Sequence, residues 1–541
     1  MSDVKKFDYV IVGGGSAGCV VANRLSEDPS VTVCLLEAGP KESRKGRIPL
    51  MLHALMGDPQ RNWDRYTVKQ PNLNNRAIYQ PCGRGLGGGS AINSMIYIRG
   101  FKPDYDNWAA QGNFGWGYDD VLPYFKKSED HQDGESEYHG VGGELSVSRL
   151  RHVERPTEVL LDAARECGYP VVDDFNHANV EGFAPYQVTQ VNGERCSSAR
   201  AFIEPAQSRP NLTVITGTHV SRVMFDGQEG LPRASGVEYR QDGVTKTVEA
   251  TREVVLSAGA VGSAQLLLLS GIGPAEHLQE MGIAQVADVP GVGQNFQDHI
   301  DVGMSFHAKP GFGLGISPQF MPRAIKGVWQ YFAGGRRGVF ASNVVEGGGF
   351  IRTNPEEDAP DVQFHFLSGN ASNNGRSLNY GHSFTLTACV LRPNSRGQLR
   401  LAAADPMVPP AIDPCFLTQE GDLKTLVDGV KVVKQLLTSD AFKPYRKGQR
   451  FPDMALGSDE AIVEHIKANA GTAYHPVGTC KMGPESDSMA VVSPELSVRG
   501  VSGLRVADAS IMPTIVSGNT NAPSIMIGEK ASDLVKASWK N

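Results

Sequence analysis

The chain has 541 residues, more than one ordinary domain holds, and 40% hydrophobic against 21% charged residues describe a water-soluble protein with a sizeable core. Its 52 Lys and Arg against 59 Asp and Glu leave a formal charge of −7, which excludes the basic surface of a nucleic-acid binder. No run of roughly 18 apolar residues is present, which excludes an integral helical membrane protein.

The start is polar and passes directly into a strand-like stretch at residues 7–12 with no cleavage signal, so the chain is expected to stay in the cytoplasm. Peripheral attachment at the cytoplasmic side of a membrane stays open. Eight cysteines without a Cys-x-x-Cys spacing read as reduced thiols rather than a disulfide framework or a zinc site.

Residues 9–12 form an apolar strand, a Gly13-Gly14-Gly15-Ser16-Ala17-Gly18 turn follows at once, and residues 19–25 continue at helical spacing. A second apolar run, 31–36, ends in Glu37. This is a βαβ unit with the glycine fingerprint in its first turn and an acid after its second strand, the arrangement that binds a dinucleotide. Gly13 allows the turn, Gly15 lets a pyrophosphate approach the backbone on the helix N-terminus, and Gly18 packs helix on strand. Glu37 is placed to accept the adenosine ribose hydroxyls. The same turn reads G-x-S-x-G, a hydrolase nucleophile elbow, but only twelve residues precede it, too few for the strands that carry an oxyanion loop.

A second glycine-rich loop at residues 83–93 enters an apolar run, 96–98, expected to be a strand, and its backbone N–H groups suit a cofactor cradle. Residues 156–167 read as a helix, 212–216 and 253–256 as strands, and, after the segment 257–260, the residues through 269 as a helix. From 310 to 457 aromatic and turn-rich sequence, with strands at 362–366 and 383–386, indicates a second unit on an antiparallel sheet. Near the C-terminus His475 precedes Pro476 in a turn-rich loop, and Asn519 lies just before a final apolar helix. The other histidines, His299 and His365 among them, read as packing residues. No metal site is expected at His475, because no second ligand lies at metal spacing.

Taken together, the fingerprint with Glu37, the loop 82–93, the segment 259–273 (GAVGSAQLLLLSGIG) and the pair His475 with Asn519 resemble the glucose-methanol-choline (GMC) flavoprotein oxidoreductases, in the family's order and over residues 7–534. The likeness is greatest to bacterial choline dehydrogenase-like and primary-alcohol dehydrogenases, with some to sorbose dehydrogenase. It implies an α/β fold: a Rossmann-like FAD-binding domain of residues 1–155, 195–309 and 465–541, and an α+β substrate domain of 156–194 and 310–464 on the antiparallel sheet. It further implies FAD held by Gly13, Gly15, Ser16, Gly18, Glu37, Ala38, Trp63, Arg84, Gly88, Ser90, Asn93, Ser94, Met95, Val220, Ala258, Asp508, Ala509 and Thr520.

Cys82 and Arg84 depart from the family's usual Arg and Lys, and Ala264 from its Pro or Ser. Ile92 stands where some relatives attach flavin through His, so FAD is expected to be non-covalent. The resemblance makes His475 the base that takes an alcohol proton and Asn519 the donor to the developing alkoxide. The expected partners are a small alcohol, a primary one first, and an electron acceptor: a quinone, a carrier or oxygen. An oxygen-using oxidase, a choline or sugar-polyol dehydrogenase and a non-redox lyase are the alternatives.

Overall fold

The computed structural model describes residues 5–227, 230–369, 371–372 and 377–539. Residues 1–4, part of the polar start, lie outside the described residues. Two sheets organise the chain. In the first, Leu212–Thr216, Val33–Glu37, Lys5–Val12 and the end of Val244–Leu256 run parallel, with Leu504–Val506 on the far side. The long strand Val244–Leu256 also pairs antiparallel with Arg233–Gln241, which pairs with His219–Asp226.

The N-terminal unit folds as its spacing dictates. Strand Lys5–Val12 is buried over its last four residues, the turn at Gly13 has φ +101°, and helix Ser16–Leu25 leaves it. Gly18 sits beneath the turn, where a Cβ would meet the Gly13 carbonyl oxygen at 1.9 Å. The helix packs on the C-terminal helix Asn521–Ser538, and buried Arg24 binds Glu529 and Glu144 at 2.7 and 2.5 Å. The helix expected after 257–260 and through 269 is present as Gly259–Leu269, and that at 156–167 as Arg155–Glu166.

The second sheet is antiparallel, in the order Arg446–Phe451, Ile300–Ala308, Gly381–Val390, Val362–Leu367, Val345–Ile351 and Gly182–Pro185. Helices Arg155–Glu166, Glu420–Thr438 and Asp459–Asn469 contribute to the apolar core on one face of it. Here the boundary drawn at residue 309 is corrected, because Ile300–Ala308 belongs to this sheet. Its residues alternate: Ile300, Val302, Met304, Phe306 and Ala308 join the core under the helices, while Asp301, Gly303 and Ser305 line the cavity. The expected strand at 96–98 is also corrected. Only Ile96 makes a single bridge, to Val188. Met95, the residue before it, has φ +61°, and Ile96 and Ile98 are apolar because they pack against Phe101, Phe175 and Tyr186.

Candidate active site

A cavity of about 880 Å³ runs from the C-terminal ends of the parallel strands to the open face of the antiparallel sheet. Its first half is built by the glycine turns. Gly13, Gly15 and Ser16 line it from the first turn, Glu37 and Ala38 from the end of strand Val33–Glu37, and Val220 and Trp63 from the far end. Ala258, Asp508, Ala509 and Thr520 border it where the chain returns, and Gly88, Asn93 and Ser94 where the second glycine loop crosses. Four expected residues do not line it. Gly18 packs below the turn, and Ser90 is turned inward, donating to the Gly87 carbonyl and accepting the Ser198 N–H. Met95 is fully buried. Arg84 stands behind Trp63, its guanidinium 4.9 Å from the ring centroid, with Arg65 also over that ring at 4.8 Å.

Glu37 does more than face the cavity. Its carboxylate accepts the backbone N–H groups of Gly14 at 2.8 Å, Gly39 at 2.7 Å and Gly85 at 2.9 Å, tying the two glycine segments together. Asp508 does the same on the other side, accepting Gly259 N–H and Ser263 Oγ–H at 2.9 and 2.6 Å; burial pushes its carboxyl up. At Gly88, with φ +51°, a Cβ would come within 2.7 Å of Gly15 Cα, so the loops approach to backbone contact. The result is an elongated channel walled by backbone, with an acid and a tryptophan at one end. It fits a dinucleotide.

At the other end stands His475, buried, with its N–H donated to Asp298 Oδ1 at 2.8 Å. Tyr474, with φ +69°, turns the loop so that the imidazole meets two partners. Its Nδ1 lies 3.0 Å from Nδ1 of His299, and its Nε2 lies 3.1 Å from Nδ2 of Asn519. The protons follow from the outer partners. His299 Nε2 faces the Leu391 carbonyl at 2.9 Å and must donate to it. Burial holds His299 down to about 3, so its Nδ1 is a bare acceptor and His475 Nδ1 carries the hydrogen between them. The Asn519 amide oxygen accepts from Gln363 Nε2 at 3.1 Å, which fixes its NH₂ toward His475. His475 Nε2 is thereby left unprotonated at the cavity, where it accepts an N–H of Asn519 that a substrate hydroxyl can replace. Burial, with His299 and His365 nearby, holds this imidazole well below 6.5.

Asp298 underpins the pair. It accepts the N–H groups of both His299 and His475, with Gln80 and Thr472 on its second oxygen at 2.7 and 2.5 Å, and burial pushes it up to about 6. Sequence reasoning missed His299, Asp298 and His365. His299 and His475 are 176 positions apart, and no spacing signals their meeting. Beyond the imidazole the cavity wall is the open sheet face, with Asp301, Ser305, His365, Thr385 and Thr387. Burial pushes Asp301 up to about 7 and His365 down to about 4.

Family models of the GMC oxidoreductases match residues 7–301 and 393–528. The chain belongs to the GMC oxidoreductase family. It is 44% identical to an alcohol dehydrogenase [acceptor] of Pseudomonas putida, over 98% of this chain and 95% of that protein. It is 41% identical to the mitochondrial choline dehydrogenase of Homo sapiens, over 98% and 90%. Its fold matches a variant of the Aspergillus oryzae RIB40 formate oxidase, made to examine FAD modification, at TM-score 0.90 and 28% identity, with full coverage of both chains. FAD is the cofactor of this GMC oxidoreductase, and the cavity lined by Trp63, Glu37, Gly15, Gly88 and Asn93 offers it glycine-backed walls. Of the positions that depart from the GMC pattern, Arg84 backs the tryptophan and Cys82 lines the cavity; Ile92, where some relatives attach flavin, lines it with an aliphatic side chain.

Proposed function

We propose that this GMC oxidoreductase oxidises an alcohol, a primary one by preference, to the aldehyde, with His475 and Asn519 as its catalytic residues and non-covalent FAD. The observation that carries this reading is the unprotonated Nε2 of His475, an acceptor at the cavity set by the hydrogen bonds through His299 to Leu391 and met by the Asn519 N–H. A substrate hydroxyl at that atom gives up its proton to a neutral imidazole. The Asn519 Nδ2, 3.1 Å from the same nitrogen, donates to the oxygen as negative charge develops on it. Bound FAD supplies the hydride acceptor for the carbinol carbon. The backbone of the two glycine loops would hold the pyrophosphate, and Glu37 the ribose beside the N–H groups it already accepts. Ile92 has no atom for a covalent link to the flavin. A quinone, a protein carrier or oxygen would then take the electrons.

A second reading, a cationic amino alcohol such as choline, is favoured by Asp301. Its carboxyl lies on the cavity wall opposite Gly471, 3.8 Å from the position a Cβ there would take. A quaternary ammonium would hold that acid ionised. Anaerobic mixing with straight-chain primary alcohols and with choline, followed by the bleaching of the flavin band, separates the two readings. Alcohols are expected to reduce the flavin, and bleaching by neither class would overturn alcohol oxidation. Reoxidation by oxygen or by a soluble quinone then identifies the acceptor.

A further inference from the structure

Helix Met321–Phe332 carries its apolar side outward. At about 100° per residue, Met321, Ile325, Val328, Trp329 and Phe332 fall within an arc of about 100°. Ile325, Trp329 and Phe332 are 65%, 66% and 67% exposed, and Ile316 just before the helix is exposed as well. The helix is nevertheless firmly seated. Gly327 and Tyr331 are buried beneath it, a Cβ at Gly327 would strike Val339 Cγ1 at 2.5 Å, and the Tyr331 hydroxyl donates to the Gly193 carbonyl at 3.1 Å. An ordered apolar stripe held in water marks an interaction surface.

The charge around the stripe says what it meets. Residues 302–345 contain no Asp or Glu and five cationic side chains, Lys309, Arg323, Lys326, Arg336 and Arg337, in a chain whose net charge is −7. Arg323 is paired with Glu154 and Arg336 with Glu194. Among the described residues Lys309, Lys326 and Arg337 are exposed and have no acidic partner. A helix with Trp, Phe and Ile on one face, Lys and Arg beside it and no acid is the form that lies in the headgroup layer of an anionic bilayer. Among the described residues no helix is long and apolar enough to cross one.

The stripe is also close to the cavity. Val339, on which the helix rests, clusters with Leu314 and Val344, with Leu50, Phe320 and Phe340 packed on them, and Val344 lines the cavity. One apolar layer therefore separates the surface from the site.

We propose that this face docks the protein on an anionic lipid surface, with helix Met321–Phe332 lying in the plane of the interface. The test leaves the catalytic reading aside, since vesicle binding reads the surface and flavin reduction reads the cavity. The FAD-loaded protein is sedimented with vesicles of phosphatidylcholine alone and of phosphatidylcholine mixed with phosphatidylglycerol. Wild type is expected to pellet with the mixed vesicles and to be released by added salt. The double variant Ile325→Ser, Trp329→Ser is expected to lose about tenfold or more in partitioning, and Lys326→Gln with Arg337→Gln to lose the preference for phosphatidylglycerol. Both should keep wild-type flavin content and flavin reduction. Wild type remaining in the supernatant with both vesicles would overturn the proposal, as would a serine variant that pellets like wild type. A dimer in light scattering that the serine variant alone dissolves would reassign the face to a second copy of the chain.

Discussion

At the scale of single residues, the chemistry depends on where one proton sits. Replacing His475 by Ala removes the Nε2 lone pair and is expected to slow flavin reduction by roughly 10² to 10⁴, with the spectrum of bound FAD unchanged. Asn519→Ala should cost about 10² to 10³, the worth of one oxyanion donor. Stopped-flow reduction per bound flavin measures both, and near wild-type rates for His475→Ala would remove the mechanism. The pH dependence follows from the lowered value of His475. A histidine whose folded value is depressed stays neutral, and so able to accept a proton, until the pH falls through that value. His475 itself is therefore expected to contribute no step to flavin reduction as the pH is lowered through 6.5, the ordinary imidazole value. A midpoint near 6.5 that persists in Asp298→Asn and Asp301→Asn would show a solvated imidazole, since those two carboxyls are themselves pushed up to about 6 and about 7. His299, a positioning residue, is what sets this proton, and here the sequence is least informative. His475 and Asn519 could be named from family motifs, whereas the Nδ1 to Nδ1 contact comes from two loops that only the tertiary fold brings together.

At the scale of elements, the two glycine segments are joined by a carboxylate. Glu37 was legible as an acid after the second strand, with a role toward ribose. Its three backbone partners, Gly14, Gly39 and Gly85, were not, because the last belongs to a loop 48 positions away. Glu37→Gln keeps one acceptor oxygen and turns an NH₂ toward at least one of these N–H groups. A buried N–H left unpaired costs about 1–3 kcal/mol, or about one to two decades in FAD affinity where the loops must hold their shape. Equilibrium flavin binding and the melting temperature should both fall, while reduction per bound flavin is retained. A variant that melts and binds as wild type would show that the carboxylate does not brace the loops. The elements themselves were largely visible wherever one period dominates. Strand Leu212–Thr216 falls at the expected bounds, and helix Gly259–Leu269 ends where expected and starts about two residues earlier. Residues 96–98 misled because their burial comes from a junction between units, where apolar residues pack without a ladder.

At the scale of the whole molecule, the cofactor channel lies between two sheets, so FAD binds the folded chain alone. Ligand at about 100 times its dissociation constant adds about 2.7 kcal/mol. Adding FAD to stripped protein is expected to raise the melting temperature, and a melting temperature insensitive to FAD would contradict a channel shared by both sheets. The strands at 362–366 and 383–386 were visible in the sequence, whereas Ile300–Ala308, which lies before the boundary drawn at 309, pairs in the same sheet. That strand begins directly after Asp298 and His299, and His475 follows the short strand Gly471–Thr472 that pairs with it. After an earlier visit through Gly182–Pro185, the chain enters the second sheet again just after His299, and His475 lies where it returns, so the contact between the two rings closes that second excursion like a clasp. Turnover then reports the alignment of the two halves rather than the integrity of either. On gentle heating, activity should fade before the far-ultraviolet signal of the sheets does.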